Sequence, residues 1–272
     1  MNRQRCPKLS LVILLVIFAA TLLAGLIAPY GAETINVEAM NEPPSFHHLF
    51  GTDNMGRDMF SMILYGGRAS LFIGFVSSLL ATAMAVLYGT ISGLSGKRVD
   101  AVMMRFTELL LSLPSILLVL FLQAVWGKAS YLSLSVVIGL TSWMNIAKIV
   151  RSEVRQIGES DYVLAARTMG GGFGYILHHH LLPNYVSSIM FMVVSNISAA
   201  IITESTLSYF GLGLPLTAMS WGSLLSLSQE ALLTNQWWII LLPGTVLVVT
   251  LVCITNLGEY MRRKNNRLFS NL

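Results

Sequence analysis

Three consecutive histidines, His178, His179 and His180, are the residues of this sequence that most invite a metal-binding interpretation. Consecutive side chains on a helix point in different directions, so the triplet does not supply ligands that converge on one ion. The two cysteines, Cys6 and Cys253, lie at opposite ends of the chain and provide no paired ligands. We therefore predict no metal site and no cofactor bound by this chain, and interpret the histidines as part of a solvated loop.

A second candidate for chemistry is the tetrapeptide Gly93-Leu94-Ser95-Gly96, which has the GxSG pattern of an intramembrane serine protease. A nucleophilic serine needs a neighbouring base, but no histidine falls within a long apolar segment. A nucleotide-binding P-loop is excluded as well, because Lys97 is followed by Arg98 rather than by serine or threonine. The sequence thus predicts no catalytic residue and no enzyme, and the protease is only a remote alternative.

The elements that must position any functional residue are membrane spans. The chain is 54% hydrophobic and 11% charged, whereas soluble domains carry roughly 25% charged residues. A helix needs about 20 apolar residues to cross the hydrocarbon core. Six apolar runs are predicted as spans: 9–28, 70–94, 106–126, 132–147, 185–202 and 237–257. The predicted fold is an all-α polytopic membrane protein with six transmembrane helices.

The distribution of basic residues predicts the orientation of these spans. Of the 17 lysines and arginines, only Arg57, Arg68 and Lys128 fall in outer loops if the N-terminus is inside. Because basic residues near span ends stay on the cytoplasmic side, both termini are predicted to be cytoplasmic. The net charge of +4 therefore reflects membrane topology, and the sequence gives no indication of nucleic-acid binding.

Small residues recur every fourth position in the second predicted span: Ser77, Ala81, Ala85, Gly89 and Gly93. Such a stripe allows another helix to approach closely, which is how membrane helices associate where lipid provides no hydrophobic drive. The partner is either another helix of this chain or a second subunit. The sequence leaves both alternatives open.

Two acidic residues near or within predicted spans are candidates for a gate or a transport path. Glu108 lies one turn into the third span and can pair with Arg105. Glu204 begins a predicted outer segment in which Gly211, Gly213 and Pro215 interrupt any helix. Because irregular backbone at membrane depth must line a cavity or be buried in protein, we expect an outer gate there.

The first outer loop contains both charge signs and turn residues, in Thr52, Asp53, Arg57 and Asp58. These residues would either receive an extracytoplasmic binding protein or fold over the bundle.

The segment 161–184 has the features of a docking element. Asp161 is a good helix N-cap, residues 162–169 favour a short helix, and the glycines from Gly170 favour its termination. Ala165 and Ala166 give this helix a small-residue face that can seat against another protein, and Arg167 can reach a carboxylate there. The alternative is an amphipathic helix on lipid headgroups, although such helices favour Leu, Phe and Lys.

The arrangement Ala165-Ala166, Gly170 and Leu182-Pro183 resembles the EAA loop of ABC importer permeases. Leu164 stands where that family often has glutamate, while Asp161 provides an acidic start. Three further stretches, 47–71, 96–120 and 204–222, resemble the C-type permeases for dipeptides, oligopeptides and nickel.

This resemblance implies a type I ABC importer permease fold in the cytoplasmic (inner) membrane and a role in ATP-driven import of peptides, nickel or a metal chelate. The implied partners are a second homologous permease, two cytoplasmic ATPase subunits that bind ATP and Mg, an extracytoplasmic binding protein and membrane lipid. The segment 161–170 would couple ATP hydrolysis to motion of the spans. A secondary carrier or channel is the alternative that needs no coupling loop.

The expected organisation is one membrane domain. It comprises a tail and first span (1–28), an outer loop (29–69), a core of five spans (70–257) with the coupling loop 148–184, and a cytoplasmic tail (258–272).

Overall fold

The computed structural model describes residues 7–160, 163, 168–170, 172, 182–215 and 218–270. These residues form helices and loops without a β-strand, apart from an isolated bridge between Thr52 and Asp58. The helices are α1 (Lys8–Leu22), α2 (Ala24–Ile27), α3 (Met59–Leu94), α4 (Lys97–Leu111), α5 (Ser115–Trp126), α6 (Tyr131–Gly158), α7 (Leu182–Tyr209), α8 (Trp221–Ser226), α9 (Ser228–Thr234) and α10 (Trp237–Ser270).

Four of these helices, α3, α6, α7 and α10, contain stretches long and apolar enough to cross a membrane by themselves. The pair α4–α5 meets the same criterion as one bent span, and α1 is a shorter apolar helix that α2 extends after a single residue. Five spans are thus supported by length and composition, and α1–α2 is the remaining apolar segment, so the count is roughly consistent with the six predicted passes. The chain is therefore an all-α polytopic membrane protein, as predicted.

The third span is broken rather than continuous over 106–126. Helix α4 ends at Leu111, α5 begins at Ser115, and the two are bent by 89°. Pro114 accounts for the break, because proline has no amide hydrogen and its ring clashes with the preceding turn of a helix. The linker, residues 112–114, is exposed on the surface of this chain.

Four other helices extend beyond the predicted spans, and two of them, α6 and α10, continue past the predicted ends at residues 147 and 257 to Gly158 and Ser270. Helix α3 begins at Met59, inside the predicted outer loop 29–69, because the Asp58 side chain caps it by accepting a bond from the Ser61 amide at 2.8 Å. Helix α7 continues to Tyr209, beyond the predicted end at residue 202. The extensions of α3 and α7 carry the bundle further toward the end that is predicted to be extracytoplasmic.

Three buried clusters form the core. One joins α3 to α6 around Trp143, Val150 and Val154. A second joins the start of α3 to α7, α8 and α10 around Trp221 and Trp238. The third lies where α5, α6 and α7 meet, around Val119, Leu134 and Leu207. Among the described helices, α3 and α6 pack together most extensively, so this pair is the framework on which the other helices rest.

Candidate functional site

The segment predicted to dock another protein lies mostly outside the described residues. That is the case for Asp161, Ala165, Ala166 and Arg167, and also for His178, His179 and His180. Val163 is described: it is buried and packs in the cluster that contains Val154 and Ile157 of α6. Leu182 and Pro183 are the first residues of α7. The described parts thus connect this segment directly to α6 on one side and to α7 on the other.

Gly170 has the backbone conformation expected of a glycine that stops a helix. Its φ is +88°, and a Cβ added there would meet no atom within 4 Å. Glycine is needed here because of the backbone angle, since L-residues rarely adopt positive φ. The site requires a turn but leaves the surrounding space open.

An ion-pair cluster that the sequence analysis did not identify joins α4 to α6, the helix that precedes this segment in the sequence. Asp100, near the start of α4, is 4% exposed and accepts hydrogen bonds from both Nε and Nη2 of Arg151 on α6. Arg155 Nη2 lies 3.1 Å from Asp100 Oδ2, and the Ser92 hydroxyl of α3 donates to Oδ1 at 2.7 Å. Bidentate arginine–carboxylate pairing fixes orientation as well as distance. The cluster therefore ties the ends of α3 and α6 to the beginning of the bent span.

The small-residue stripe of α3 faces α6 of the same chain. A Cβ on Gly89 would lie 2.6 Å from the Ala147 carbonyl oxygen, and one on Gly93 would lie 2.8 Å from Val154 Cγ1. Ala81 and Ala85 are fully buried in the cluster that joins these helices. Ser77 donates a hydrogen bond to the Ser135 carbonyl at 2.9 Å. The stripe is occupied within the chain, so it offers no free face at these positions.

Glu204 lies inside α7 and not at the start of an outer segment. It is fully buried, and its carboxylate accepts bonds from Ser70 of α3 at 3.0 Å and from Ser208, one turn later, at 2.9 Å. Ser70 in turn accepts a bond from the Trp221 amide at 3.0 Å. One carboxylate therefore joins α3, α7 and the start of α8.

The irregular segment after α7 packs back onto this carboxylate cluster. Gly211 has a φ of +72°, and a Cβ on Gly213 would lie 2.5 Å from the Ser208 hydroxyl. Pro215 follows, and the segment leads to Trp221, which is fully buried and donates its indole N–H to the Ile63 carbonyl at 3.0 Å. This arrangement anchors the irregular segment to α3, α7 and α8 of this chain.

Glu108 lies on α4 and pairs with Arg105 at 3.4 Å. The two side chains are 49% and 84% exposed. Such an exposed pair contributes little to stability. The geometry gives Glu108 no contact with the carboxylate of Glu204 or with Asp100.

The outer loop folds over the bundle. Asp53 is buried and pairs with Arg57 at 2.6 Å, and the Thr52 carbonyl accepts the indole N–H of Trp238 at 3.0 Å. Asn54 donates to Glu230 at 2.8 Å. Asp58 caps α3 and bonds His48 at 3.0 Å. Of the two open alternatives, folding over the bundle accounts for these four residues.

Metal and protease chemistry receive no geometric support from the described residues. These residues contain no group of three or more His, Cys, Asp or Glu side chains arranged to hold an ion. The Ser95 hydroxyl donates to the Ile91 carbonyl at 2.6 Å, as a helix-terminal serine often does. The seryl oxygen has no histidine partner within the described part of the chain.

Comparison with known proteins gives consistent similarities over nearly the whole chain. Residues 85–267 match the family described as "Binding-protein-dependent transport system inner membrane component", and residues 3–44 match the "N-terminal TM domain of oligopeptide transport permease C". The oligopeptide transport system permease protein OppC of Bacillus subtilis is 36% identical over 265 residues, covering 96% of this chain and 86% of that protein. The dipeptide transport system permease protein DppC of the same organism is 34% identical, covering 95% and 81%.

A putative peptide permease protein of Brucella suis is also 36% identical, over 96% of this chain and 86% of its own length. Among solved structures, a crystal structure of an amino acid ABC transporter with histidines aligns with a TM-score of 0.54. It is 14% identical and covers 75% of this chain and 94% of that chain. At this identity the structural alignment supports the fold alone.

Proposed function

The chain belongs to the family of binding-protein-dependent transport system inner membrane components, and we propose that it is the permease subunit of an ATP-driven importer of peptides. The observation that carries this proposal is the 34–36% identity to dipeptide and oligopeptide permeases over about the whole chain. Of the cargoes that the sequence left open, peptide is the one that these relatives' names support.

The energy for transport comes from separate subunits in this proposal. The sequence lacks a P-loop, so ATP and Mg are bound by two cytoplasmic ATPase subunits. A second homologous permease completes the membrane part, and an extracytoplasmic binding protein delivers the cargo. The chain lies in the inner membrane with both termini in the cytoplasm, as the distribution of lysine and arginine favours.

The coupling contact of this permease is the segment 161–170. Its N-terminal neighbour α6 is held by the Arg151–Asp100 pair, and Val163 packs into the α3–α6 core. If an ATPase displaces the segment, the displacement would therefore move α6 and, through the Asp100 ion pair, the bent span. The permease then alternates between inward- and outward-facing states because the ATPase binds those states with different affinities. Closure at the outer end falls to the segment 211–215 and the Glu204 cluster.

Reconstitution tests the proposal directly. The chain is co-expressed with a second permease, two ATPases and a peptide-binding protein from its own organism, purified and inserted into proteoliposomes. Uptake of radiolabelled tri-alanine should require ATP, the ATPases and the binding protein. Uptake that proceeds without ATPases and follows an ion gradient would instead identify a secondary carrier. ATP-dependent uptake of Ni²⁺ without uptake of peptide would show that the cargo is nickel rather than a peptide.

A further inference from the structure

A cleft of about 320 Å³ opens at the break in the third span. It is bounded by the end of α4, the start of α5, and the middle of α6 and α7. This volume is within the range of small-ligand pockets. None of the side chains that line it is charged. A larger cavity of about 760 Å³ lies at the predicted outer end, but Arg68 there already donates to the Thr21 and Leu22 carbonyls.

Asn196 of α7 is one of the residues that line this cleft, and its amide nitrogen is a buried, unsatisfied donor with almost no solvent-accessible surface. The residue is 9% exposed, and its Nδ2 has no hydrogen-bond partner among the described residues. An unpaired buried amide costs on the order of 1–3 kcal/mol, so it is retained only where something compensates for it. A ligand that brings a carbonyl oxygen into the cleft would supply the missing partner.

The N-terminus of α5 opens into the same cleft. Ser115, the first residue of this helix, lines the cleft, and no side chain caps the helix at Pro114. The first amides of an α-helix have no partner within the helix and carry a partial positive charge. The α5 terminus and Asn196 are therefore independent donors on two different helices, and both favour oxygen acceptors.

The cleft also presents acceptors. The hydroxyl hydrogens of Thr141 and Ser142 are donated to α6 carbonyls, Thr141 to Val137 and Ile138, and Ser142 to Ile138. Their oxygens remain able to accept a bond from a ligand N–H. A chain of amides, which alternates carbonyl oxygens with N–H groups, matches these donors and acceptors. A bare metal ion does not, because the cleft lacks His, Cys, Asp and Glu.

We propose that this cleft is a binding subsite for the peptide main chain inside the membrane, with Asn196 Nδ2 and the α5 N-terminus as the donors to its carbonyl oxygens. The subsite rests on the proposed function, because it is the point where the imported peptide passes the broken span. Main-chain bonding makes the site independent of the cargo's side chains. Selection among peptides would then fall to the binding protein.

The test uses the complete importer in proteoliposomes with tri-alanine below saturation. Asn196→Leu keeps the side-chain volume but removes the donor, and it should lower uptake per ATP hydrolysed by roughly tenfold. Asn196→Gln retains an amide donor and should lose less. The matched control is Ser198→Ala, which removes a buried unpartnered hydroxyl of the same helix that does not line the cleft. It should stay within about twofold of the unmodified importer.

A labelling experiment examines occupancy independently of turnover. Asn196→Cys is placed in a chain carrying Cys6→Ser and Cys253→Ser, and its reaction with maleimide is followed in the assembled importer. Tri-alanine should slow the reaction, whereas Ni²⁺ alone should not.

Three results would overturn the subsite: unchanged uptake by Asn196→Leu, an equal loss in Ser198→Ala, or labelling that only Ni²⁺ slows. If the unmodified importer takes up no tri-alanine at all, the proposed function itself fails. Normal uptake by the unmodified importer together with normal uptake by Asn196→Leu removes only the subsite.

Discussion

The Asp100 carboxylate accepts hydrogen bonds from both Nε and Nη2 of Arg151. This bidentate pair joins the start of the bent span to a residue near the end of α6. The two residues are separated by 51 positions in sequence. Arg151 is followed within α6 by Arg155, which contacts the same carboxylate, and then by the segment that we propose to dock the ATPase. The pair therefore connects the helix that leads into that segment with the start of the broken span.

Replacing Asp100 with asparagine should weaken this connection. Breaking a buried ion pair costs about 3–5 kcal/mol, but Arg151 and Arg155 are 26% and 36% exposed. Solvent screening reduces the expected loss to on the order of 2 kcal/mol. We expect a lower midpoint of thermal unfolding for the purified chain in detergent. In proteoliposomes, peptide uptake should fall more than ATP hydrolysis.

Glu259→Gln is the matched control, because Glu259 forms surface pairs with Arg262 and Arg263 in which each side chain is at least a third exposed. It should change stability by less than about 1 kcal/mol and leave the ratio of uptake to hydrolysis unaltered. If Asp100→Asn also leaves the ratio of peptide uptake to ATP hydrolysis unaltered, Asp100 does not take part in coupling.

Gly89→Ala should destabilise the α3–α6 pair. The new methyl would lie 2.6 Å from a main-chain carbonyl oxygen of α6, an atom that cannot move without displacing that helix. Overpacking of this kind costs about 1–3 kcal/mol. Gly96→Ala serves as the control, since a Cβ there meets nothing within 4 Å and the backbone is extended. Equal unfolding midpoints for the two variants would contradict the close approach of α3 to α6.

The sequence predicted those features of the fold that depend on local composition. Each apolar run is helical, although the first and the third are each divided into two helices. The resemblance to ABC importer permeases in the EAA-like segment is confirmed at the level of the family by similarity over the chain. The small-residue stripe of α3 could be identified as a packing surface from its spacing. Its partner could not, because the spacing of residues on one helix contains no information about which helix faces them.

The features that the sequence analysis missed depend on contacts between distant segments. Asp100 stands beside basic residues in a loop-like context, and only the fold brings Arg151 to it. Asn196 is a neutral polar residue within an apolar run, so it lacks the charge that marks an intramembrane functional residue in a sequence. A proline such as Pro114 interrupts a helix, but its presence in the sequence does not fix the 89° angle between α4 and α5.

Gly170→Val should impair coupling through the backbone rather than through a clash. The site is open, but its φ of +88° is strained for any residue with a Cβ, and most strongly for a β-branched one. Gly170→Asn is the graded control, because asparagine tolerates positive φ better than other L-residues. Uptake per ATP hydrolysed should fall severalfold in the valine variant and remain close to normal in the asparagine variant. Equal, undiminished uptake by both variants would count against a docking role for this turn.

Glu204→Leu should loosen the predicted outer end of the bundle. Leucine fits a buried position, but it leaves the hydroxyls of Ser70 and Ser208 without their acceptor, at a cost of about 1–3 kcal/mol for each group that finds no other. Glu204→Gln keeps an acceptor oxygen in place and should lose less. The unfolding midpoint in detergent should therefore decrease in the order unmodified chain, glutamine variant, leucine variant. If α3, α7 and α8 together close the outer end, the fraction of tri-alanine that proteoliposomes retain over time should decrease in the same order. A leucine variant as stable and as tight as the unmodified chain would mean that hydrophobic packing around Trp221, rather than the carboxylate, holds this end shut.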